Sequence, residues 1–338
     1  MDAPQSIAWA AKCEAARGLR AITDDEELAD IAEAGRSLAV LRIARDASGR
    51  LAVTGSGHQG HDNEGRMQPV CDFMQQRVLP YVAPGVDVTG AYRIELHDSY
   101  SYLPRGKEDL RVYDNALTFS RPRDASEASV LLPDPFHMGG FGGMLSVPDR
   151  VPWASKRPTL FFAGTTTGHT DPARNERVEA CLWSLSQPRE VVDFRITRVA
   201  QMTVEHARAR VQGFDRILHP PVPHEEHFGY RYQVNIAGNT ACWSRVPMVL
   251  ASGSLLLNLS THQDVTWYYP FLRQGEHYVG ATSIDALPAA REWCLQNDAA
   301  CQAMVARSNR FATDYLSPLH AALFTINLLE SAAERSRA

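Results

Sequence analysis

Between residues 158 and 198 the chain changes its hydrophobic period three times: TLFFAG, the polar stretch TTTGHTDPA, RNERVEACLWSLSQ, and VVDFRITRV. The first and last are short apolar runs bounded by turn residues and predict buried strands. The segment between them predicts a helix, because Val178, Cys181, Leu182 and Leu185 recur on one face. The same rhythm returns further on. GYRYQVNIAG predicts a strand, SRVPMVLAS a helix, SLLLNL a strand, and the segment from SIDALPAAREW to ATDYL a long helix capped by Ser283. Upstream, residues 24–34 (DDEELADIAEA) predict a short helix, and SLAVLRIARDASGRLAVTG a hairpin with Gly49 in its turn. NEGRMQPVCDFMQQRVLPYV predicts another helix, and AYRIELHD a strand ending on a polar tip. Strands alternating with helices predict an α/β fold with a doubly wound parallel sheet. VPDRVPWASKRP, with three prolines in twelve residues, marks a boundary between domains at 1–150 and 151–338, the last helix packing back on the first domain.

Composition narrows the function classes. The 338 residues are 44% hydrophobic and 22% charged, with a net charge of −5 and no basic run, which argues against a nucleic-acid-binding role. The N-terminal sequence has no cationic start followed by an apolar core, so no signal peptide is expected. The most apolar stretch, 246–259, is too short to span a bilayer. Six scattered cysteines without a CxxC pair read as free thiols in a cytoplasmic protein.

Two segments carry candidate chemistry. In LFFAGTTTGHT and VNIAGNTACWSR an apolar strand runs into a glycine, then small hydroxyl residues, then an arginine near a helix start. Loops at the carboxyl ends of parallel strands are where α/β sheets hold ligands, and arginine forks match phosphate oxygens. Two such loops would suit a diphosphate. The pattern equally fits glycine turns with arginines on solvated faces, and it matches neither GxGxxG nor the P-loop. HQGHD and HPPVPHEEH space histidines and carboxylates closely, but in loop-like sequence, and no metal is expected. Trp267, Tyr268, Tyr269 and Phe271 serve either as core or as a stacking surface, and Glu276 with His277 are candidates for a ribose contact.

RYQVNIAGNTACWSR, the apolar helix, SGSLLLNL and WYYPFLRQGEHYVG together resemble the C-terminal core of glycosyltransferase family 90. LFFAGTTTG with RNER resembles a second motif of that family, IELHDSYSYL its base-bearing segment, and ALTFSRPRDASEASVLLPDPFHMGG its acceptor-side region. The motifs occur in the family's order over residues 90–315. This sequence departs by having Ala163 where the family has arginine, Ser244 directly before Arg245, and Ser99-Tyr100 after the aspartate.

The resemblance implies a GT-B architecture, with two Rossmann-like domains facing a central cleft, and inverting, metal-independent transfer without a cofactor. The donor would be a UDP-sugar of the glucose, xylose or galactose class, and the acceptor a hydroxyl of a glycan, lipid-linked glycan or lipopolysaccharide. Asp98 is the implied general base. Gly164, Thr165, Thr166, Arg174 and Arg177 from one loop, and Gly238, Asn239, Thr240, Ser244 and Arg245 from the other, are the implied nucleotide-sugar contacts. Tyr100, Phe119, Ser120, Asp134 and His137 are implied on the acceptor side. A cytoplasmic protein, at most in peripheral contact with the inner face of a membrane, is expected. Two alternatives remain: a catalytically inactive carbohydrate-binding protein, and a nicotinamide-dependent oxidoreductase, the latter lacking its strand–GxGxxG–helix signature.

Overall fold

The computed structural model describes residues 3–22, 38–57, 63–98, 115–123, 129–140, 145, 149, 151–259 and 264–337. The helix expected at 24–34, the HQGHD segment and Tyr100 lie outside the described residues. The chain forms two compact units, one of Met1–Gly142, Asp264–Pro270 and Asp314–Ala338, the other of Gly143–Gln263 and Phe271–Thr313.

The first unit is built on a mixed sheet. Strands β1 (Leu38–Arg45) and β2 (Leu51–Gly57) form the expected hairpin, and Gly49 takes the left-handed conformation (φ 81°) in its turn. β3 (Gly90–Glu95) pairs antiparallel with β1, and β4 (Ala116–Thr118) pairs parallel with β3. Past the two-residue β5 (Arg121–Pro122), β6 (Val130–Leu131) pairs parallel with β4, giving the order β2-β1-β3-β4-β6. The helix Ala3–Ala15 is fastened by Glu14, whose carboxylate accepts from Nε and Nη2 of Arg121 and from Leu131 N. The terminal helix Pro318–Arg337 packs on that first helix, and Arg335 donates to Ala15 O at 2.6 Å. The helix Asn63–Phe73 carries Pro69 in its interior and passes into a π-turn over Met74–Val78. Proline removes one rung of the i→i−4 ladder, and π-bulges often accompany functional surfaces.

The second unit is α/β with an all-parallel sheet. Its strands are β7 (Arg157–Thr165), β8 (Val192–Arg198), β9 (Tyr230–Asn235) and β10 (Leu255–Leu259). Next along the chain, β11 (Asp264–Val265) belongs to the first unit, where it pairs with β5; β12 (Val279–Ala281) then completes the parallel sheet. The order β12-β10-β9-β7-β8 is the 2-1-3-4-5 arrangement of doubly wound folds, with its topological switch point between β7 and β9. The helix Glu176–Ser184 covers this sheet with the stripe expected of it: Val178 and Cys181 are buried, and Leu182 and Leu185 pack beside them. Ser283 does not cap a long helix. It precedes a single 3₁₀ turn and makes no side-chain capping bond. Pro288 sits in the first turn of the helix that follows, Leu287–Gln296, where a missing N–H costs nothing, and a break at Asn297 separates it from Asp298–Tyr315.

At the amino ends of β7, β9 and β10 lies a buried ion pair. Lys156 Nζ donates to Asp149 Oδ2 (2.6 Å) and to Phe228 O (2.5 Å), and Asp149 also accepts from Gly253 N and Val151 N. Burial pulls the Lys156 ammonium below its ordinary pKa, and the Asp149 carboxylate opposes that pull. Removing only the acid strands a buried charge. Asp149→Ala should therefore lose about 3–5 kcal/mol of stability, read from urea unfolding; a loss under about 1 kcal/mol would contradict the role of this pair.

Candidate functional site

Both loops singled out in the sequence flank the switch point. β7 ends at Thr165 and leads through Thr166, Thr167 and Gly168 to the helix beginning at Glu176. Asn175 organises this loop from within: its Oδ1 accepts from Arg177 N and Val178 N, and its Nδ2 donates to Thr166 O and His169 O. The Thr166 hydroxyl is held by the backbone of Ala200 on both its donor and acceptor sides. On the neighbouring strand, β9 passes through Ile236 and Ala237 into Gly238, Asn239 and Thr240, and reaches a helix only at Arg245–Leu250.

Arg177 joins the two loops. Its Nε donates to Ile236 O and Ala237 O (3.2 and 3.0 Å). Nη1 donates to Thr165 O (3.2 Å) and to the Thr167 hydroxyl. Nη2 reaches Ile236 O (3.1 Å) and Cys242 Sγ (3.2 Å). A guanidinium has five N–H groups in a fixed fork, and all five are directed at protein acceptors here. Arg177 thus acts as the fastening between the β7 and β9 loops, a different role from the phosphate contact expected of it. Gly238 makes room for it: a Cβ there would lie 2.9 Å from Arg177 Nη2 and 2.8 Å from Thr167 Oγ1.

Arg245 is placed differently. Nη2 donates to Ala163 O at 2.7 Å, the guanidinium lies over the Phe162 ring at 4.4 Å, and Nε is buried without a hydrogen-bond partner among the described residues. Gly164 permits this approach, since a Cβ there would stand 2.7 Å from Arg245 Nη2. Desolvation, reinforced by the neighbouring Arg177 charge, pushes the Arg245 guanidinium down to about 10. Among the described residues no carboxylate pairs with either arginine. Two close, desolvated cations without an acid repel one another, and an anion at the free edge of Arg245 would relieve that repulsion. The adjoining helix, six residues long with Ser244 making no side-chain cap, offers little dipole, so the guanidinium is the main positive element.

The remaining residues expected on the nucleotide side divide clearly. Thr165 accepts from Arg177, Thr240 is buried with its hydroxyl unpartnered among the described residues, and Asn239 and Ser244 are half-buried in the second loop. Arg174 lies apart on an exposed 3₁₀ turn. His277 Nδ1 accepts from Arg273 N and its carbonyl from the Ser308 hydroxyl, bracing a turn on which Glu276 is half-buried. Sequence reasoning did not single out Asn175, Phe162 or Cys242; the asparagine preceding an acidic first turn is a capping signal that marks the first of these.

On the other unit, Asp98 follows the end of β3 and pairs with Arg66 of the helix Asn63–Phe73: Nη2 to Oδ1 is 2.7 Å, while Nη1 donates to Leu96 O at 2.6 Å. Arg66 was also not anticipated, because nothing in its helical pattern points to a partner on a strand. Phe119, Ser120, Asp134 and His137 are wholly buried. Asp134 caps the turn at Pro135–Met138 through Phe136 N and His137 N, and its Oδ2 lies 2.6 Å from His137 Nδ1. His137 packs against Trp267 and Tyr268, which are buried themselves, so those two aromatics belong to the core. Among the described residues no group of three or more His, Cys, Asp or Glu is placed to hold a metal, and no helix is long and apolar enough to cross a membrane.

Arg177→Met keeps the bulk and removes every donor, leaving carbonyls at the ends of both strands short of partners. A loss of at least about 1–3 kcal/mol is expected. Arg177→Lys should recover only part of it, because a point charge cannot reproduce the fork. Urea unfolding of both variants checks this, and wild-type stability in Arg177→Met would contradict the fastening role.

The chain is 27% identical over 190 residues to protein O-glucosyltransferase 3 of Rattus norvegicus, covering 54% of this chain and 33% of the relative. It is 26% identical to the Homo sapiens protein of the same name, with the same coverage. The chain therefore spans about a third of the length of these relatives. Among solved structures it is similar to Anabaena HepE in complex with UDP and glucose, with a TM-score of 0.34, 8% identity and 55% and 50% of the two chains covered. It is also similar to the pneumococcal O-GlcNAc transferase GtfA in complex with UDP and GlcNAc, with a TM-score of 0.32, 13% identity and 50% and 35% covered. Glycosyl transferase family 90 matches over residues 143–337, more than half of the chain and all of the sheet that carries Arg177 and Arg245, and the chain belongs to that family.

Proposed function

We propose that this protein is a UDP-sugar-dependent glycosyltransferase that inverts the anomeric centre and needs no metal. The observation that carries the reading is Arg245: a desolvated guanidinium at the switch point, with spare donors and no carboxylate partner among the described residues. In this reading the diphosphate of the donor accepts from Arg245, and the Arg177 fastening holds the β7 and β9 loops at the spacing a diphosphate requires. The acceptor hydroxyl gives its proton to the Asp98 carboxylate while its oxygen attacks the anomeric carbon. The bond from that carbon to the diphosphate oxygen breaks, and its electron pair leaves with UDP. A fixed guanidinium beside the departing oxygen takes the part that a divalent cation plays elsewhere. Arg66 orients Asp98 through Oδ1. The name of the relatives, protein O-glucosyltransferase 3, favours glucose as the sugar and a hydroxyl as the acceptor; the acceptor is proposed to be a glycan or lipid-linked glycan, met by a cytoplasmic protein in at most peripheral contact with a membrane.

Arg245→Ala should weaken UDP binding by about 1.5–3 kcal/mol with the fold unchanged. Calorimetric titration reads this directly, and unaltered affinity in a folded variant removes Arg245 from the site.

Asp98→Asn keeps the shape and removes the basic oxygen. Assayed in EDTA-containing buffer, parent transfer should persist, and the variant should fall by about a hundredfold or more. UDP affinity should stay within about threefold of the parent. Near-parent transfer by the variant would leave the reaction without its base, and UDP binding without any transfer by the parent would favour an inactive carbohydrate-binding protein.

A further inference from the structure

The first unit contains a cavity of about 350 Å³ that none of the site residues above lines. Its apolar walls come from Pro69, Phe73, Met138 and Pro318, and its polar rim from Asp72, Gln76 and Arg77. Phe73 and Met138 are buried, whereas Asp72, Gln76 and Arg77 are exposed, so the pocket has an apolar floor and a hydrogen-bonding mouth. The cavity is a built feature. Gly140, with φ 61°, brings the 135–140 turn so close to the terminal helix that a Cβ would lie 3.2 Å from Pro318 Cγ. The π-turn at Met74–Val78 supplies Gln76 and Arg77. Asp72 is oriented by Gln68, whose Nε2 donates to Oδ1 at 2.8 Å, and among the described residues Arg77 has no ion pair.

One helix connects this pocket to Asp98. Arg66, Pro69 and Phe73 are spaced i, i+3, i+7 and share a face of Asn63–Phe73. The first holds Asp98 and the other two line the pocket. At 1.5 Å per residue the pocket extends from about 5 to about 10 Å along that face from the arginine at the base. That separation suits a chain of linked sugars rather than a single one.

We infer that this pocket is a saccharide subsite, which takes a sugar of the acceptor beyond the one receiving the transfer. The inference rests on the glycosyltransferase reading above. The chemistry of the walls selects the ligand class. A sugar ring presents an apolar C–H face and a rim of hydroxyls that both donate and accept. An apolar floor with a carboxylate, an amide and a guanidinium at the mouth answers each of these, within the size range of small-ligand pockets. A phosphate would meet Asp72 beside Arg77, and an apolar ligand would leave three polar side chains desolvated.

Met138 provides a reporter at the pocket wall. The full chain, labelled with ¹³C at its methionine methyls and with the Met138 signal identified by its loss in Met138→Leu, is titrated with maltotriose, xylotriose and galactotriose. Inorganic phosphate and a neutral hexapeptide serve as comparison ligands, and UDP affinity is measured on the same preparation. A saturable shift of the Met138 methyl is expected with at least one trisaccharide. That binding should weaken at least tenfold in Arg77→Ala and in Asp72→Ala while UDP affinity stays as in the parent. No Met138 shift with any saccharide, a shift that survives both substitutions, or a shift produced by phosphate or the peptide instead would overturn the subsite. Failure of UDP to bind overturns the glycosyltransferase reading and not the pocket, so the two can fail separately.

Discussion

Everything at the carboxyl edge of the second unit's sheet depends on the Arg177 fork. Strands β7 and β9 are neighbours in the sheet, but their connections leave on opposite sides, so their loops diverge. Peptide carbonyls at the ends of diverging strands lose their ladder partners, and the exposed edge would ordinarily be filled by water. One side chain replaces that water on both loops together, bonding Ile236, Ala237 and Thr165. Because it is charged, its bonds are stronger than neutral ones. Because it is planar and fully engaged, it fixes the distance between the loops. The second arginine exploits that fixed edge without completing it.

The two ends of the same sheet treat positive charge in opposite ways. At the amino ends, Lys156 is buried against Asp149, a carbonyl and a hydroxyl, and the charge is neutralised within the protein. At the carboxyl ends, the half-buried Arg245 is set against a ring face and a single carbonyl. The first arrangement secures the fold. The second leaves a positive charge that no carboxylate among the described residues neutralises, and the proposed binding role of Arg245 rests on that difference.

Much of this was legible because period and turn chemistry act locally. TLFFAG and VNIAG are apolar runs ended by glycine, and both became strand ends at the switch point. The helical stripe through Val178 and Cys181 packed where its spacing placed it. Sequence could also mark Arg177 and Arg245 as arginines near helix starts, but not tell them apart. Their roles differ by which carbonyls lie within reach, and those include Ala237 O, 60 residues from Arg177, and Ala163 O, 82 residues from Arg245. Arg66 was invisible for the same reason, since its partner is 32 residues distant. The expected cap at Ser283 failed on a local competitor: Pro288 sets the helix start more strongly than a serine five residues earlier. The aromatic run at 267–271 was ambiguous because stacking surface and core share a composition, and only burial separates Trp267 and Tyr268 from Tyr269.

The assignment of residues 264–270 and 314–338 to the first unit means that the chain passes between the units four times. The first unit is thus finished by the last helix of the sequence, which packs on Ala3–Ala15. During synthesis, the parallel sheet of the second unit has all five strands outside the ribosome while the first unit still lacks that helix. The second unit's sheet can therefore reach its native form first, and the earlier-made sheet has to wait, with its Ala3–Ala15 helix uncovered, until translation nears Arg337. Order of birth and order of completion are reversed in this chain, and the period of exposure falls on the unit that begins it.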